Sequence, residues 1–129
     1  MTLYDSSVLI DYLDGVERAR EYVAARDTER AVAPRLVQFE VYQGEVFKSG
    51  STDLAAVDDA LDWLLVEEAD GTARHAAELQ DTLRSRGEPL AAREAFIAGA
   101  ASAANETLAV ADGDFDVPGL TDELSVDFL

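Results

Sequence analysis

The chain has no cysteine, one lysine, one histidine and only three prolines. The missing cysteines exclude disulfide scaffolds, thiolate zinc sites and cysteine nucleophiles together, and they suit a reducing cytoplasm. The lone histidine, His75, lies between Thr72 and Leu79 on an expected helix with no histidine to pair with, so it is read as structural. No apolar run approaches the roughly 20 residues that a spanning helix needs. The opening residues, Met1-Thr2-Leu3-Tyr4-Asp5, lack the basic segment and apolar core of a signal peptide. A soluble, cytoplasmic protein without membrane association is expected.

Basic residues are also few: 10 against 27 acids, for a formal net charge of −17. Such a field repels nucleic acid and anionic membrane at ordinary ionic strength. The acids are nevertheless dispersed among apolar residues along the whole chain, without an acidic tail. That pattern fits a salt-accumulating, halophilic cell, where at about 1 M salt the Debye length falls to about 3 Å and self-repulsion is screened. The dominance of arginine, with Lys48 the only lysine, fits haloadaptation or equally a GC-rich genome.

What is present is one domain's worth of alternating short strands and helices over residues 1–129, since domains commonly run about 100–150 residues. Leu3-Tyr4-Asp5 predicts a first strand ending in an acid, followed by a helix capped by Ser6 or Ser7 and carrying Val8, Leu9, Tyr12 and Leu13. Further helices are expected over 16–26, from Pro34 to Phe47, from a Ser51 or Thr52 cap to Leu64, and over 72–86 and 91–104. Strands are expected at 31–33, 64–66, 107–111 and 124–128, with 112–119 a loop. Leu36, Phe39, Val41 and Val46 are the core candidates of the third helix, and Trp63 is assigned to the core. The alternation predicts an α/β sandwich with a short, mostly parallel central sheet between helices, whose functional residues gather at strand carboxyl ends.

Four acids stand out. Asp5 closes the first strand, where it either faces a crevice or caps a helix at the surface. Glu40 lies in a helix with Gly44 one turn on. Glycine there costs about 1 kcal/mol relative to alanine, which suggests close approach by a backbone or ligand. Glu94 opens Glu94-Ala95-Phe96-Ile97-Ala98-Gly99-Ala100-Ala101, whose small residues suit tight packing on the sheet; a first-turn acid is also favoured by the helix dipole alone. Asp112 begins Asp112-Gly113-Asp114-Phe115, where a turn aspartate is common.

The segments carrying these acids resemble, in order, the motifs of the PIN domain, and specifically of VapC-type toxins. Asp5-Ser6-Ser7-Val8-Leu9-Ile10-Asp11 is similar to the family's opening strand and helix. Glu40-Val41-Tyr42-Gln43-Gly44 resembles its glutamate with glycine four residues later. Gly87-Glu88-Pro89-Leu90, then Glu94 and Ile97-Ala98, is similar to its third motif, and Leu108 to Phe115 to its fourth. The resemblance spans Thr2 to about Leu120. Two positions depart from it: Glu94 stands where the family normally has aspartate, and Val110 where threonine or serine usually precedes the last acid by two residues.

The resemblance implies a metal-dependent endoribonuclease, the toxin of a type II toxin–antitoxin pair, with a cognate antitoxin and a homodimeric state. Asp5, Glu40, Glu94 and Asp112 would be its catalytic acids. Asp5 and Glu94 would be direct metal ligands, Glu40 and Asp112 direct or water-mediated ones, and Asp114 an outer candidate. Four carboxylates with no cysteine favour Mg²⁺ or Mn²⁺ over zinc. Such an ion would activate a water against the scissile phosphate. The alternative is a catalytically impaired PIN-like domain that binds protein or RNA, for which Glu94 and Val110 speak. An EF-hand through Asp112, Asp114, Asp116 and Glu123 is disfavoured by Val117 where its glycine should be and by Pro118 after it. A phospho-receiver domain would need a lysine on its last strand, and Lys48 is not there.

Overall fold

Five short stretches of small and β-branched residues form the strands of the computed structural model, which describes residues 1–129: β1 (Thr2–Tyr4), β2 (Ala31–Ala33), β3 (Leu65–Val66), β4 (Thr107–Val110) and β5 (Val126–Phe128). All neighbours pair in parallel, in the order β3-β2-β1-β4-β5. A parallel sheet needs cover on both faces, and alternation along β1 shows where it comes from. Leu3 shares a cavity wall with Ala100, while Tyr4 shares one with Tyr12, Val23 and Ala24 on the other face.

Ala100 belongs to α6 (Ala92–Ala104), which packs on β1 and β4 and is itself covered by α5 (Thr72–Ser85). The opposite layer holds α1 (Ser6–Leu13), α2 (Glu17–Ala24), α3 (Arg35–Phe47) and α4 (Leu54–Ala60). A fourteen-residue α5 and a thirteen-residue α6 approach closely because Gly99 faces Ala76: a Cβ built on Gly99 would lie 2.6 Å from the Cα, Cβ and N of Ala76. The small residues after Glu94 therefore serve the neighbouring helix as much as the sheet. The α/β sandwich is as expected, with a sheet that is entirely parallel. No helix is long and apolar enough to cross a membrane.

Several local expectations are corrected. Asp5, not Ser6 or Ser7, caps α1. Asp53 caps α4, its carboxylate accepting from the Ala56 N–H at 3.0 Å, so neither Ser51 nor Thr52 has that role. The helix stops at Ala60 rather than Leu64. Trp63 turns back to donate to the Ala60 carbonyl at 3.1 Å. It is partly buried, edge-on to Tyr4 and Tyr12 at 5.5 and 5.2 Å. In α3 the buried positions are Val37 and Val41. Phe39, about 200° around the helix from each at 100° per residue, is 58% exposed, and Val46 is exposed as well. The final loop holds a turn of 3-10 helix (Gly113–Phe115) and a short α7 (Leu120–Glu123), so β5 starts at Val126 and not at Leu124.

Candidate metal centre

Strand order reverses at β1: β2 and β3 lie on one side of it, β4 and β5 on the other. A crevice opens at the carboxyl ends of two strands where such a reversal occurs. Asp5 stands at the end of β1 in that crevice, with 0% exposure. Its backbone N–H donates to the Ala109 carbonyl of β4 at 3.0 Å. Its carboxylate accepts from the Ser7 N–H at 3.2 Å and from the Ser7 hydroxyl at 2.5 Å. The same Ser7 oxygen accepts from the Ala111 N–H at 3.0 Å, so one serine ties the acid of β1 to the end of β4. The two readings of Asp5 thus merge: it caps a helix and faces the crevice, with no exposure at the surface.

Helix α6 brings the next acid. Glu94 sits in its first turn, 6% exposed. A buried carboxylate must be partnered, and the partner is Arg93. Its guanidinium donates to Glu94 at 2.9 Å, to Asp5 at 2.8 Å and to the Ser6 hydroxyl oxygen at 2.9 Å. It also grips Glu40 of α3 with two donors, one of them at 2.7 Å. These bonds, Glu40's foremost, hold the guanidinium's pKa above its already high ordinary value despite partial burial. A bidentate fork of this kind is something arginine does and lysine does not.

Asp112 follows β4 and caps the 3-10 turn, accepting from the Asp114 N–H at 2.9 Å. Phe115, fully buried, anchors that turn in the core. Glu94, Asp112 and Asp114 each offer a carboxylate oxygen within 4.8 Å of the others. Octahedral Mg²⁺, with ligands at about 2.1 Å, sets its ligand oxygens about 3–4.2 Å apart, so small carboxylate rotations bring this set into range. The donors are all hard oxygens, which suits Mg²⁺ or Mn²⁺.

The expected acids therefore fall into two groups that share Glu94. Asp5, Glu40 and Glu94 surround a guanidinium, while Glu94, Asp112 and Asp114 lie close enough together that they could hold a cation. Asp114, expected at the periphery, is one of the close three. Sequence reasoning missed Arg93 and the bridging role of Ser7. For Arg93 a signal existed, because a cation in a helix's first turn opposes the macrodipole and needs a reason.

Other expectations receive plain answers. A Cβ on Gly44 would meet only Ile10, at 3.7 Å, so no close approach requires that glycine. Glu123 pairs with Arg86 at 3.1 Å, which takes it out of any EF-hand arrangement. His75 is exposed on α5 and takes no part in the core.

A parallel sheet with acids at its reversal point, covered by helices on both faces, defines an open α/β sandwich. Residues 2–119 match the family model described as PIN domain, and the chain belongs to that family. Solved structures share the architecture over nearly the full length. FitAcB from Neisseria gonorrhoeae has a TM-score of 0.81 at 18% identity, covering 100% of this chain and 97% of that one. DNA-bound VapBC from Salmonella typhimurium has a TM-score of 0.79 at 17% identity, covering 98% and 96%. VapBC2 from Rickettsia felis, bound to a DNA fragment from its promoter, has a TM-score of 0.77 at 13% identity, covering 99% and 98%. At these identities the likeness is one of fold. Among curated proteins no match is found.

Proposed function

We propose that this protein is a divalent-metal-dependent endoribonuclease of VapC type, acting in the cytoplasm as the toxin of a type II pair and restrained by a cognate antitoxin. The observation that carries the reading is the convergence of five carboxylates, from four separate stretches of chain, on the reversal point of a PIN-domain sheet. A similar fold occurs in a member of the VapBC family of toxin–antitoxin systems, which supports an antitoxin partner; the homodimer is what the family resemblance implies.

Glu94, Asp112 and Asp114 would hold Mg²⁺ or Mn²⁺, and Asp5 and Glu40 flank Glu94 on its other side. When bound, such an ion supplies positive charge to a scissile phosphate and lowers the pKa of a water that attacks it. The protein's own part is positional. Ser7 fixes the Asp5 rotamer against β4, the Asp112 cap sets the turn that presents Asp114, and buried Phe115 keeps that turn in place.

The test is cleavage of total RNA in molar KCl with Mn²⁺ or Mg²⁺, with ends mapped by sequencing and Asp5→Asn protein run alongside. Discrete ends that disappear with EDTA and in the variant are expected, with a loss of about 10²-fold or more for a group that acts on the reacting centre. A second reading, a binding module without hydrolysis, is favoured by Arg93, which neutralises three of the acids a nuclease would give to metal. Folded protein that retains RNA but yields no metal-dependent ends would select it.

A further inference from the structure

Five carboxylates at one crevice would repel one another without a counter-charge, and Arg93 is the only basic residue among them. The guanidinium does more than neutralise. Its donors reach acids on three elements, the end of β1, the middle of α3 and the start of α6, and Ser6 fills a further place. Two of its partners, Asp5 and Glu94, have side chains only 0% and 8% exposed, so with the arginine in place they have little contact with water. The arginine itself stays 27% exposed, open enough to leave. Glu94 is the pivot, since its carboxylate belongs both to the arginine's set and to the three-acid group with Asp112 and Asp114.

From this we infer that Arg93 is a positioning residue that stands in for the divalent ion: it holds Glu94, together with Asp5 and Glu40, in the metal-free protein and yields Glu94 when metal binds. The inference rests on the metal-dependent reading above. Two cations cannot both own Glu94 at full strength, so binding of one weakens the other by the same factor. A site whose acids are free of the arginine about one-tenth of the time binds its metal about tenfold more weakly than the same site without it. The longer glutamate at position 94 suits this exchange, because one more methylene lets a carboxylate anchored in α6 swing between guanidinium and metal.

The experiment is Mn²⁺ binding, by calorimetry and by the paramagnetic resonance of free Mn²⁺, on intact protein at constant ionic strength in molar KCl. Wild type, Arg93→Gln and Arg93→Lys are compared, with melting in EDTA and in Mn²⁺ as a second readout. Arg93→Gln should bind Mn²⁺ about tenfold or more tightly than wild type. It should melt lower in EDTA and gain more on adding Mn²⁺, and an Arg93→Gln protein that folds only with Mn²⁺ supports the proposal equally. Arg93→Lys, with one charge and no fork, should fall between. Wild type and Arg93→Gln binding Mn²⁺ with equal affinity, or the variant binding more weakly, overturns the proposal and leaves the nuclease reading standing. No binding by any of the three, all folded, overturns the metal-dependent reading and this inference with it.

Discussion

Replacing Gly99 with alanine adds one methyl group where α6 meets α5, and here the usual rule should invert. In a solvent-facing helix interior, glycine to alanine stabilises by about 1 kcal/mol. The new Cβ of residue 99, however, would stand 2.6 Å from Ala76 Cα, Cβ and N. Carbon atoms rest at about 3.5–4.0 Å, so the helices must part by about 1 Å. Two of the three opposing atoms are backbone and cannot rotate aside. Overpacking of this kind typically costs about 1–3 kcal/mol. Because backbone must move, the upper part of that range, about 2–3 kcal/mol, applies; set against the propensity gain it leaves a net loss of about 1–2 kcal/mol, or about 4–8 °C in melting temperature for a domain of this size. Urea unfolding in molar KCl measures it, with Gly44→Ala as the companion. At Gly44 the new methyl would touch only Ile10, at 3.7 Å. That variant should gain about 0.5–1 kcal/mol. If Gly99→Ala proves as stable as wild type, the close helix contact described here is wrong.

Two further outcomes concern other parts of the chain. Arg30 pairs with Glu106, whose side chain is fully buried and whose second oxygen has no partner. Arg30→Ala should therefore lose about 2–3 kcal/mol, discounted for the arginine's own exposure, and the double variant Arg30→Met, Glu106→Met should recover most of it in urea melts. Burial raises Tyr4 to about 12, and burial together with the hydrogen bond it donates to Asp127 raises Tyr22 too. The unfolded value is about 10, so their contribution is complete below that pH and lost as pH climbs through the folded values. Stability measured against pH should fall above about 10, less so in Tyr22→Phe. Ordinary titration of both phenols in the folded protein, seen in tyrosinate absorbance, would count against it.

The alternation of short apolar strands and longer helices was legible because each period reports burial of the local segment. Strand order was not, since nothing in Thr2-Leu3-Tyr4 says that it pairs with both Ala31-Val32 and Thr107-Leu108. Phe39 misleads for a related reason. Its hydrophobicity marks a buried face in most helices, but Val37 and Val41 set the phase and leave it outside. The acids Asp5, Glu40, Glu94 and Asp112 could be singled out because they follow strands or sit on helices in a family pattern. How they divide around Arg93 depends on side-chain reach across three elements, which spacing along the chain does not encode.

The placement of β1 has a bearing on how the molecule is made. Among the strands it comes first in the chain, yet it lies at the centre of the sheet, with β4 registered against it from Thr2↔Thr107 to Tyr4↔Ala109. Chains emerge from the ribosome at about 5–20 residues per second and fold as they can. Until β4 has emerged, β1 has an open edge and Asp5 lacks the Ala109 carbonyl and the Ser7–Ala111 bridge. The crevice therefore closes only once β4 has emerged, since these long-range contacts cannot form earlier. The acids of the proposed metal centre come together only after Asp112 and Asp114, which follow β4, have left the ribosome.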